Sequence, residues 1–308
     1  MSSEHSKSKT LPILLVFGPT ASGKTHAAIA LAQEVGGEII NADSMQLYKG
    51  LPTLTALPSR KEQAGIAHHL FGTVPPDQPW STGIWLDAIA PIVRQIQARG
   101  RRPILVGGTG LYFEALTKGL AQIPNISKNT QLKVSQLAQE KGLEYLREQL
   151  ERVDPQAASR ILGADRQRLI RALSVYQETG KSLTSFQQNT QPVFRQDQWQ
   201  GAVLLPKREQ LYARIEARFD QMLATGALDE LQEFCRAWPE LDLPLFKAIG
   251  VPSLLKVLNG EMALVDATAQ AKRDTRRYAK RQMTWARGRT ASWLHVDDAQ
   301  GVFKLCLS

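Results

Sequence analysis

Short stretches rich in apolar residues recur in the first third of the chain and predict strands, and each is bounded by glycine or polar residues. The runs PILLVF, EIINAD and RPILVGGTG begin at residues 12, 38 and 102. Continuous hydrophobicity is typical of strands that are covered on both faces, as in parallel sheets. A helical pattern follows the first run, extends through Ala32 and ends near Gly36 and Gly37. Alternating strands and helices predict an α/β fold with a parallel sheet and a site at the carboxyl ends of its strands.

The middle of the chain shows no strand pattern from about residue 121 to 199. The stretches 135–154 and 165–180 each predict one amphipathic helix, the second capped by Asp165 and ended by Gly180. The polar, glutamine-rich stretch TSFQQNTQPVFRQDQ predicts a loop, after which GAVLLP returns as a strand followed by helices. We therefore expect an α/β core of residues 1–120 and 200–308, interrupted by a helical insertion of residues 121–199.

Positive charge is concentrated near the end of the chain. The protein has 308 residues and a formal net charge of +9, and residues 272–289 (the basic segment) carry eight basic side chains and one acidic one. On a helical wheel one half of the segment is cationic, which favours a polyanionic partner over an ordinary salt-bridged face. That half contains Lys272, Arg273, Arg276, Arg277, Lys280 and Arg281.

Other features of the sequence indicate a cytoplasmic protein that does not cross a membrane. The apolar stretch from Ile13 to Phe17 is far shorter than the about 20 residues that span a bilayer, and the opening MSSEHSKSKT lacks the apolar core of a signal peptide. Cys235 and Cys306 are far apart and have no C-x-x-C spacing, so neither a disulfide nor a cysteine metal site is expected.

The stretch GPTASGKT, residues 18–25, fits the phosphate-binding pattern G-x-x-x-x-G-K-[ST] and is here called the P-loop. Gly18 and Gly23 let backbone amides surround an anion, Lys24 reaches the phosphates, and Thr25 offers its hydroxyl to Mg²⁺. The predicted phosphate-binding residues are Gly18, Pro19, Thr20, Ala21, Ser22, Gly23, Lys24 and Thr25. ATP is the default ligand of such a loop.

The chain lacks the acidic residue that usually holds the metal in P-loop ATPases and kinases. The run RPILVGG ends in Gly107, Gly108 and Thr109 where an Asp or Glu would be expected, which weakens the ATPase and kinase interpretations. The acid that does follow a predicted strand is Asp43. This residue could be a metal ligand, a helix N-cap or a general base.

Taken together, the motifs resemble those of the bacterial tRNA dimethylallyltransferases, also called tRNA isopentenyltransferases. The resemblance rests on GPTASGKT, NADSMQLYKG, HHL, VGGTGLY, DRQRLIRALSVYQETGK, RIEARFDQML and TRRYAKRQMTW, which extend from the P-loop almost to the end of the chain. It implies a P-loop NTPase-like parallel sheet flanked by helices, with an all-helical insertion that contacts the tRNA anticodon stem-loop. The implied activity is transfer of a dimethylallyl group from dimethylallyl diphosphate to N6 of adenosine 37, with release of diphosphate, in tRNAs that read codons beginning with U.

The resemblance also implies residue roles. Asp43 would accept the proton from N6, Thr109 would supply a hydroxyl near the reacting centre, and Arg214 would join Lys24 and a Mg²⁺ ion on Thr25 in stabilising the leaving diphosphate. The expected protein is a monomer. The implied tRNA-binding residues are Asp43, Ser44, Met45, Gln46, Gln167, Arg168, Leu169, Ile170, Arg171, Lys280, Arg281 and Arg287.

Two segments depart from the family's usual pattern. Leu54 and Leu57 replace a glycine and a lysine, and residues 251–253 replace aromatic and polar groups, so no tRNA contact is assigned to 251–253. Two alternatives stay open beside the transferase. One is a P-loop kinase of a small metabolite or nucleotide, and the other is a non-catalytic tRNA-binding protein derived from an enzyme.

Overall fold

The computed structural model describes residues 11–239 and 242–306, and the predicted polar tail of residues 1–10 lies outside this part of the chain. The chain forms two compact units. The first ends at Thr117 and resumes at Phe194, and the second is Lys118–Val193. The boundaries differ from the predicted insertion of 121–199, because the segment before Trp199 already belongs to the first unit, where Trp199 begins a strand.

The first unit is built on a sheet of six strands in the order β3-β2-β4-β1-β5-β6, and every neighbouring pair is parallel. The predicted α/β fold class is confirmed. The three predicted apolar runs form β1, β2 and β4, whose residues are buried almost throughout because helices cover both faces of the sheet. The strands are β1 Ile13–Phe17, β2 Gly37–Asn41, β3 His68–His69, β4 Arg102–Gly107, β5 Trp199–Leu204 and β6 Leu294–Val296.

The helices that follow the strands cover the two faces of the sheet. On one face the helix Lys24–Val35 packs with the short 3₁₀ helix Gln300–Cys306 over Leu14, Val16 and Ile104. On the other face the ring of Trp85 stacks on Tyr112 at 4.1 Å between centroids. The helices of this unit are α1 Lys24–Val35, α2 Pro52–Thr55, α3 Thr82–Ala98, α4 Gly110–Lys118, α10 Arg208–Ala224, α11 Ala227–Ala237, α12 Val251–Leu258 and α13 Leu264–Arg289, with 3₁₀ turns at Gln196–Gln198 and Pro244–Lys247.

The sheet order brings three loops to one edge. Strand β4 lies between β2 and β1, and each of the three ends at the same level. The amide of Ala42 donates to the carbonyl of Val106 at 2.8 Å, and the amide of Gly18 donates to the carbonyl of Gly107 at 3.2 Å. The P-loop, the Asp43 segment and the Thr109 segment are therefore adjacent.

The sequence pattern missed both edge strands. Strand β3 contains only two histidines, and β6 contains three residues within a region predicted to be helical to its end. Edge strands this short have no periodicity that could be recognised, and only pairing with β2 and β5 defines them.

The second unit is helical, with α5 Lys128–Glu140, α6 Gly142–Val153, α7 Pro155–Arg160, α8 Arg166–Thr179 and α9 Leu183–Gln187. Two predictions here were wrong. The stretch 135–154 belongs to two helices, because Gly142 has a φ of 81° and breaks the helical path. The predicted loop of 184–198 contains most of α9, which Ser182 caps. The Asp165 cap and the Gly180 end of α8 are confirmed.

The described part of the chain contains no helix that combines the length and the hydropathy needed to cross a membrane.

We predict that Gly107→Ala strongly destabilises the protein. A Cβ atom at Gly107 would lie 2.0 Å from the carbonyl oxygen of Ala42, so β2 and β4 would have to separate. We expect a loss of about 3 kcal/mol or more in the free energy of unfolding, measured by urea denaturation. Gly288→Ala is the matched control, since the new methyl group meets nothing within 4 Å and α13 gains a better helix former. A Gly107→Ala protein as stable as the control would contradict the importance of this contact.

Candidate active site

The backbone of the P-loop is shaped to surround an anion. Ala21 and Gly23 have φ angles of 61° and 91°, which turn successive amides toward a common centre. Gly23 precedes α1, and no described side chain caps the first turn of this helix. Free amides and the positive end of the helix dipole make this turn an anion site.

Lys24 extends under the loop with its ammonium group away from bulk water. The side chain is buried, and its Nζ donates to the carbonyl of Pro19 at 3.3 Å. Burial lowers the pKa of Lys24 to about 8, although the charge of Asp43 raises it and that of Arg218 lowers it further. A bound phosphate group would give this desolvated cation the counter-charge that it lacks.

Two hydroxyl groups complete the loop. The Oγ of Ser22 is buried and has no hydrogen-bond partner among the residues that the structure describes. Thr25 is partly exposed in the first turn of α1. Residues 11–239 and 242–306 contain no group of three or more His, Cys, Asp or Glu side chains that could hold a metal ion. A metal at this loop would take most of its ligands from a bound phosphate and from water.

Asp43 is held by the side chain of Asn41, which was not among the site residues predicted from the sequence. Asn41 is fully buried at the end of β2, and its Nδ2 donates to the carbonyl oxygens of Asp43 and Leu70 at 2.9 and 3.0 Å. Its Oδ1 accepts from the amide of Asp43 at 2.8 Å. The Oδ1 of Asp43 accepts from the amide of Met45 at 3.1 Å, so the carboxylate closes a turn. No helix begins here, which excludes the N-cap role for Asp43.

Thr109 lies beside the same turn. Its Oγ1 accepts from the amide of Ser44 at 3.0 Å and lies 3.4 Å from the Oγ of Ser44. The amide of Thr109 donates to the carbonyl of Ala42 at 3.2 Å. The predicted residues Asp43, Ser44 and Thr109 therefore form one hydrogen-bonded group.

A cavity of about 300 Å³ joins the P-loop to this group. Thr20 and Ala21 lie on one side of the cavity, and Asp43, Ser44 and Met45 lie on another. Much of the remaining wall is apolar and was not predicted from the sequence, since its residues are distant in the chain. These wall residues include Leu54, Ile215, Phe219, Met222 and Ile249.

Two arginines four residues apart on α10 point to the site. Arg214 donates through Nη1 to the carbonyl of Ser22 at 3.4 Å, which brings this predicted residue to the P-loop. Arg218 lines the cavity and was not among the site residues predicted from the sequence. Burial lowers the pKa of Arg218, and the charges of Asp43 and Glu62 partly offset that effect. The i, i+4 spacing of the two arginines was the available signal.

Gln46 has a supporting position. Its Nε2 donates to the carbonyl oxygens of Thr55 and Ala56 at 3.0 and 2.8 Å, which fixes the end of α2 against the cavity. Gln46 was predicted to bind tRNA, but its Nε2 already donates to two carbonyl oxygens within the protein.

Helix α13 contains the basic segment, but part of its charge is neutralised. Lys272 pairs with Asp220 at 2.6 Å, and Arg276 pairs with Glu216, both acids being on α10. The prediction of an uncompensated face was wrong for these two cations, because the acids come from a helix distant in sequence. Lys280, Arg281 and Arg287 are exposed and make no ion pair with any residue in the described ranges.

In the second unit the predicted tRNA contacts on α8 divide by burial. Gln167, Arg168 and Arg171 are exposed and lie on one face, whereas Leu169 is fully buried in the helical core. Ile170 is partly buried against the same core. Contact through the side chain of Leu169 is therefore excluded, since helical spacing turns this position inward.

The two departures from the family pattern occupy different environments. Leu54 is buried and lines the cavity, whereas Leu57 is partly exposed and its side chain lies near Gly72. Val251 and Ser253 are buried in the first turn of α12. The changes at 251 and 253 therefore alter packing rather than an exposed surface.

Comparison with known proteins gives a consistent result. The family described as IPP transferase matches residues 46–289, and the family described as isopentenyl transferase matches residues 11–70. The tRNA dimethylallyltransferase of Maricaulis maris is 50% identical to this chain over 92% of each protein.

Solved structures resemble the fold over most of the chain. The tRNA isopentenylpyrophosphate transferase of Bacillus halodurans aligns with a TM-score of 0.66 and 32% identity, covering 95% of this chain and 93% of its own. A eukaryotic dimethylallyltransferase acting on tRNA aligns with a TM-score of 0.76 and 28% identity, covering 90% of this chain and 70% of its own.

We predict that Lys24→Met weakens the binding of inorganic pyrophosphate by about 100-fold, since a charge-assisted hydrogen bond contributes about 1.5–3 kcal/mol. Isothermal titration calorimetry measures the affinity. The melting temperature should not fall, because the substitution removes a desolvated charge from the interior. Lys256→Met, at an exposed position on α12, is the control and should bind like the unchanged protein. Equal affinities for the two variants would remove Lys24 from the anion site.

Proposed function

The chain belongs to the IPP transferase family, and from this membership we propose a specific reaction for the site at the carboxyl edge of the sheet. The protein is an enzyme that transfers a dimethylallyl group to tRNA. We propose that the donor is dimethylallyl diphosphate and that the acceptor is N6 of adenosine 37 in tRNAs that read codons beginning with U. The products are N6-dimethylallyl-adenosine in the tRNA and free diphosphate.

One observation carries the proposal. A loop built for a phosphate group and a fixed carboxylate face the same cavity, since Thr20 and Ala21 of the P-loop and Asp43 all line it. Alkylation of an amine by an allylic diphosphate needs an anion site for the leaving group and a base for the proton, about one small alkyl group apart. The cavity also has an apolar wall suited to an alkyl chain or a base.

The first half of the reaction is departure of the diphosphate. As the bond between the allylic carbon and the bridging oxygen breaks, its electron pair moves to the diphosphate, and negative charge grows there. Lys24, the P-loop amides and the hydroxyl of Ser22 stabilise that charge, and Arg214 adds a cation beside Ser22. Because Lys24 and Ser22 are buried and the loop backbone is already shaped to surround an anion, little reorganisation is needed.

The second half is attack by the adenine amine. The N6 lone pair forms the new bond to the allylic carbon, and the proton of N6 passes to Asp43. The Oδ1 of Asp43 is used by the Met45 amide, so Oδ2 is the atom that accepts the proton. Asn41 and Thr109 hold the turn that presents it. The adenine must leave the anticodon stack to reach the cavity, which costs a few kcal/mol.

Mg²⁺ fits the P-loop as an ion shared with the substrate. Thr25 is the protein ligand that we propose, and a bound diphosphate and water would supply the remaining oxygen ligands. When bound, the ion would neutralise charge on the diphosphate.

We propose one tRNA-binding surface on each of the two units, made of exposed basic and polar side chains. Lys280, Arg281 and Arg287 on α13 would contact phosphates, and Gln167, Arg168 and Arg171 would do so on the helical unit, for which we propose contact with the anticodon stem-loop. A tRNA substrate also supports a cytoplasmic location.

The kinase alternative loses support at two positions. Strand β4 is followed by Gly108 and Thr109, where an ATPase or a kinase usually has an acidic metal ligand. The hydroxyl of Thr109 instead accepts a hydrogen bond from the amide of Ser44 in the Asp43 turn. A transfer assay distinguishes the binding-only alternative from the enzyme.

We predict that labelled dimethylallyl diphosphate transfers its label to unmodified tRNA containing A36 and A37. The same tRNA with G37 should receive none, because guanosine has no N6 amine. Asp43→Asn should lower kcat by about 10²–10⁴-fold, since the amide keeps the shape of the side chain but cannot take the proton. Binding of the tRNA to this variant should stay within about twofold. No transfer by the folded, unchanged protein would refute the reaction and leave only a binding function.

We predict that chelation of divalent ions by EDTA abolishes transfer and that added Mg²⁺ restores it. Thr25→Ala should raise the Mg²⁺ concentration needed for half-maximal activity by about tenfold, because it removes one oxygen ligand. Thr25→Ser, which keeps the hydroxyl, should behave like the unchanged protein. An equal Mg²⁺ requirement in the alanine and serine variants would exclude Thr25 as a ligand.

A further inference from the structure

Helix α13 has two functional faces. Its exposed face carries Lys280, Arg281 and Arg287, for which we propose contact with tRNA. Its packed face carries Gln282, whose side chain is only 5% exposed. A primary amide is costly to bury unless both of its ends are hydrogen-bonded, so its partners need to be identified.

Gln282 connects two of the three loops at the edge of the sheet. Its Oε1 accepts from the amide of Thr20 in the P-loop at 2.9 Å, and its Nε2 donates to the carbonyl of Gly108 at 2.8 Å. The first partner is a donor and the second an acceptor. A side-chain amide is the group that can satisfy both at once, because a carboxylate only accepts and an ammonium only donates.

The surroundings are shaped around this side chain. A Cβ atom at Gly108 would lie 2.2 Å from the Nε2 of Gln282, so glycine leaves the space that the amide occupies. One turn further along α13, the ring of Trp285 packs against Phe17 at 4.8 Å between centroids and leaves no room for a side chain at Gly110. The helix is thereby fixed against the ends of both β1 and β4.

We propose that Gln282 is a positioning residue for the leaving group. By fixing Thr20 to Gly108, it holds the P-loop in the shape that binds diphosphate and keeps the loop in register with Thr109. This inference rests on the proposed function, since it assumes that the P-loop binds the diphosphate of the donor. Because Gln282 belongs to the helix whose other face carries the tRNA-binding cations, the same helix orients both substrates.

The test uses Gln282→Met, which preserves the length of the side chain but removes both hydrogen bonds. We expect the affinity for inorganic pyrophosphate, measured by calorimetry without RNA, to fall at least tenfold. The KM for dimethylallyl diphosphate should rise by a similar factor. Affinity for an anticodon stem-loop RNA should change less than twofold, because the exposed face of α13 is intact. A purely structural role would weaken both ligands together.

Ala267→Gly is the matched control. It destabilises the same helix at a buried position 15 residues before Gln282, which is about 22 Å along the helix axis. Pyrophosphate affinity should be unchanged in this variant. Gly108→Ala provides a second route if Gln282→Met does not fold, since its methyl group displaces the amide of Gln282, and it should weaken pyrophosphate binding to a similar degree.

The outcomes separate the inference from the proposed function. If the unchanged protein binds pyrophosphate and Gln282→Met or Gly108→Ala binds it equally well, the positioning role is wrong while the proposed function stands. If the unchanged protein does not bind pyrophosphate, the proposed role of the P-loop fails, and the inference fails with it.

Discussion

The close contact between the ends of β2 and β4 is the constraint on which the site depends. Gly107 lies so near the backbone of Ala42 that no side chain fits between them, and the amide of Thr109 reaches back to the same carbonyl. This contact brings the Asp43 turn beside the Thr109 segment, and pairing of β4 with β1 adds the P-loop. Three segments far apart in sequence become neighbours because parallel strands end at a common edge.

Burial strengthens the electrostatic interactions of the charged groups in this site. Lys24 is buried and Arg218 is partly buried, and burial lowers the pKa of each. The negative charge of Asp43 raises the pKa of both and so offsets part of this effect, and a bound phosphate group would supply the rest of the counter-charge. A dry, pre-oriented cation interacts more strongly with a developing negative charge than a hydrated one does. The protein therefore gives up some stability to keep Lys24 where it is useful.

Tertiary contacts give the cations of helix α13 different roles. Asp220 and Glu216 of α10 neutralise two of its cations and link α13 to α10. The cations that remain exposed are the ones available to a polyanion, while the opposite face closes over the P-loop. A count of charges along the sequence overestimates the binding surface, since it cannot include acids from another helix.

The sequence by itself determined the parallel α/β core, because continuous apolar runs leave few alternatives, and the P-loop, because its glycine and lysine spacing is a local property. It also selected Asp43, Thr109 and Arg214, which the fold brings to one edge of the sheet. Only the tertiary structure decided what holds them: Asn41 behind Asp43, Arg218 beside it, and Gln282 between two loops. These are long-range contacts, and no periodicity in the chain encodes which distant side chain will meet a given backbone group. The burial of Leu169 and the ion pairs of Lys272 and Arg276 also depend on packing between distant segments, so the sequence did not reveal them.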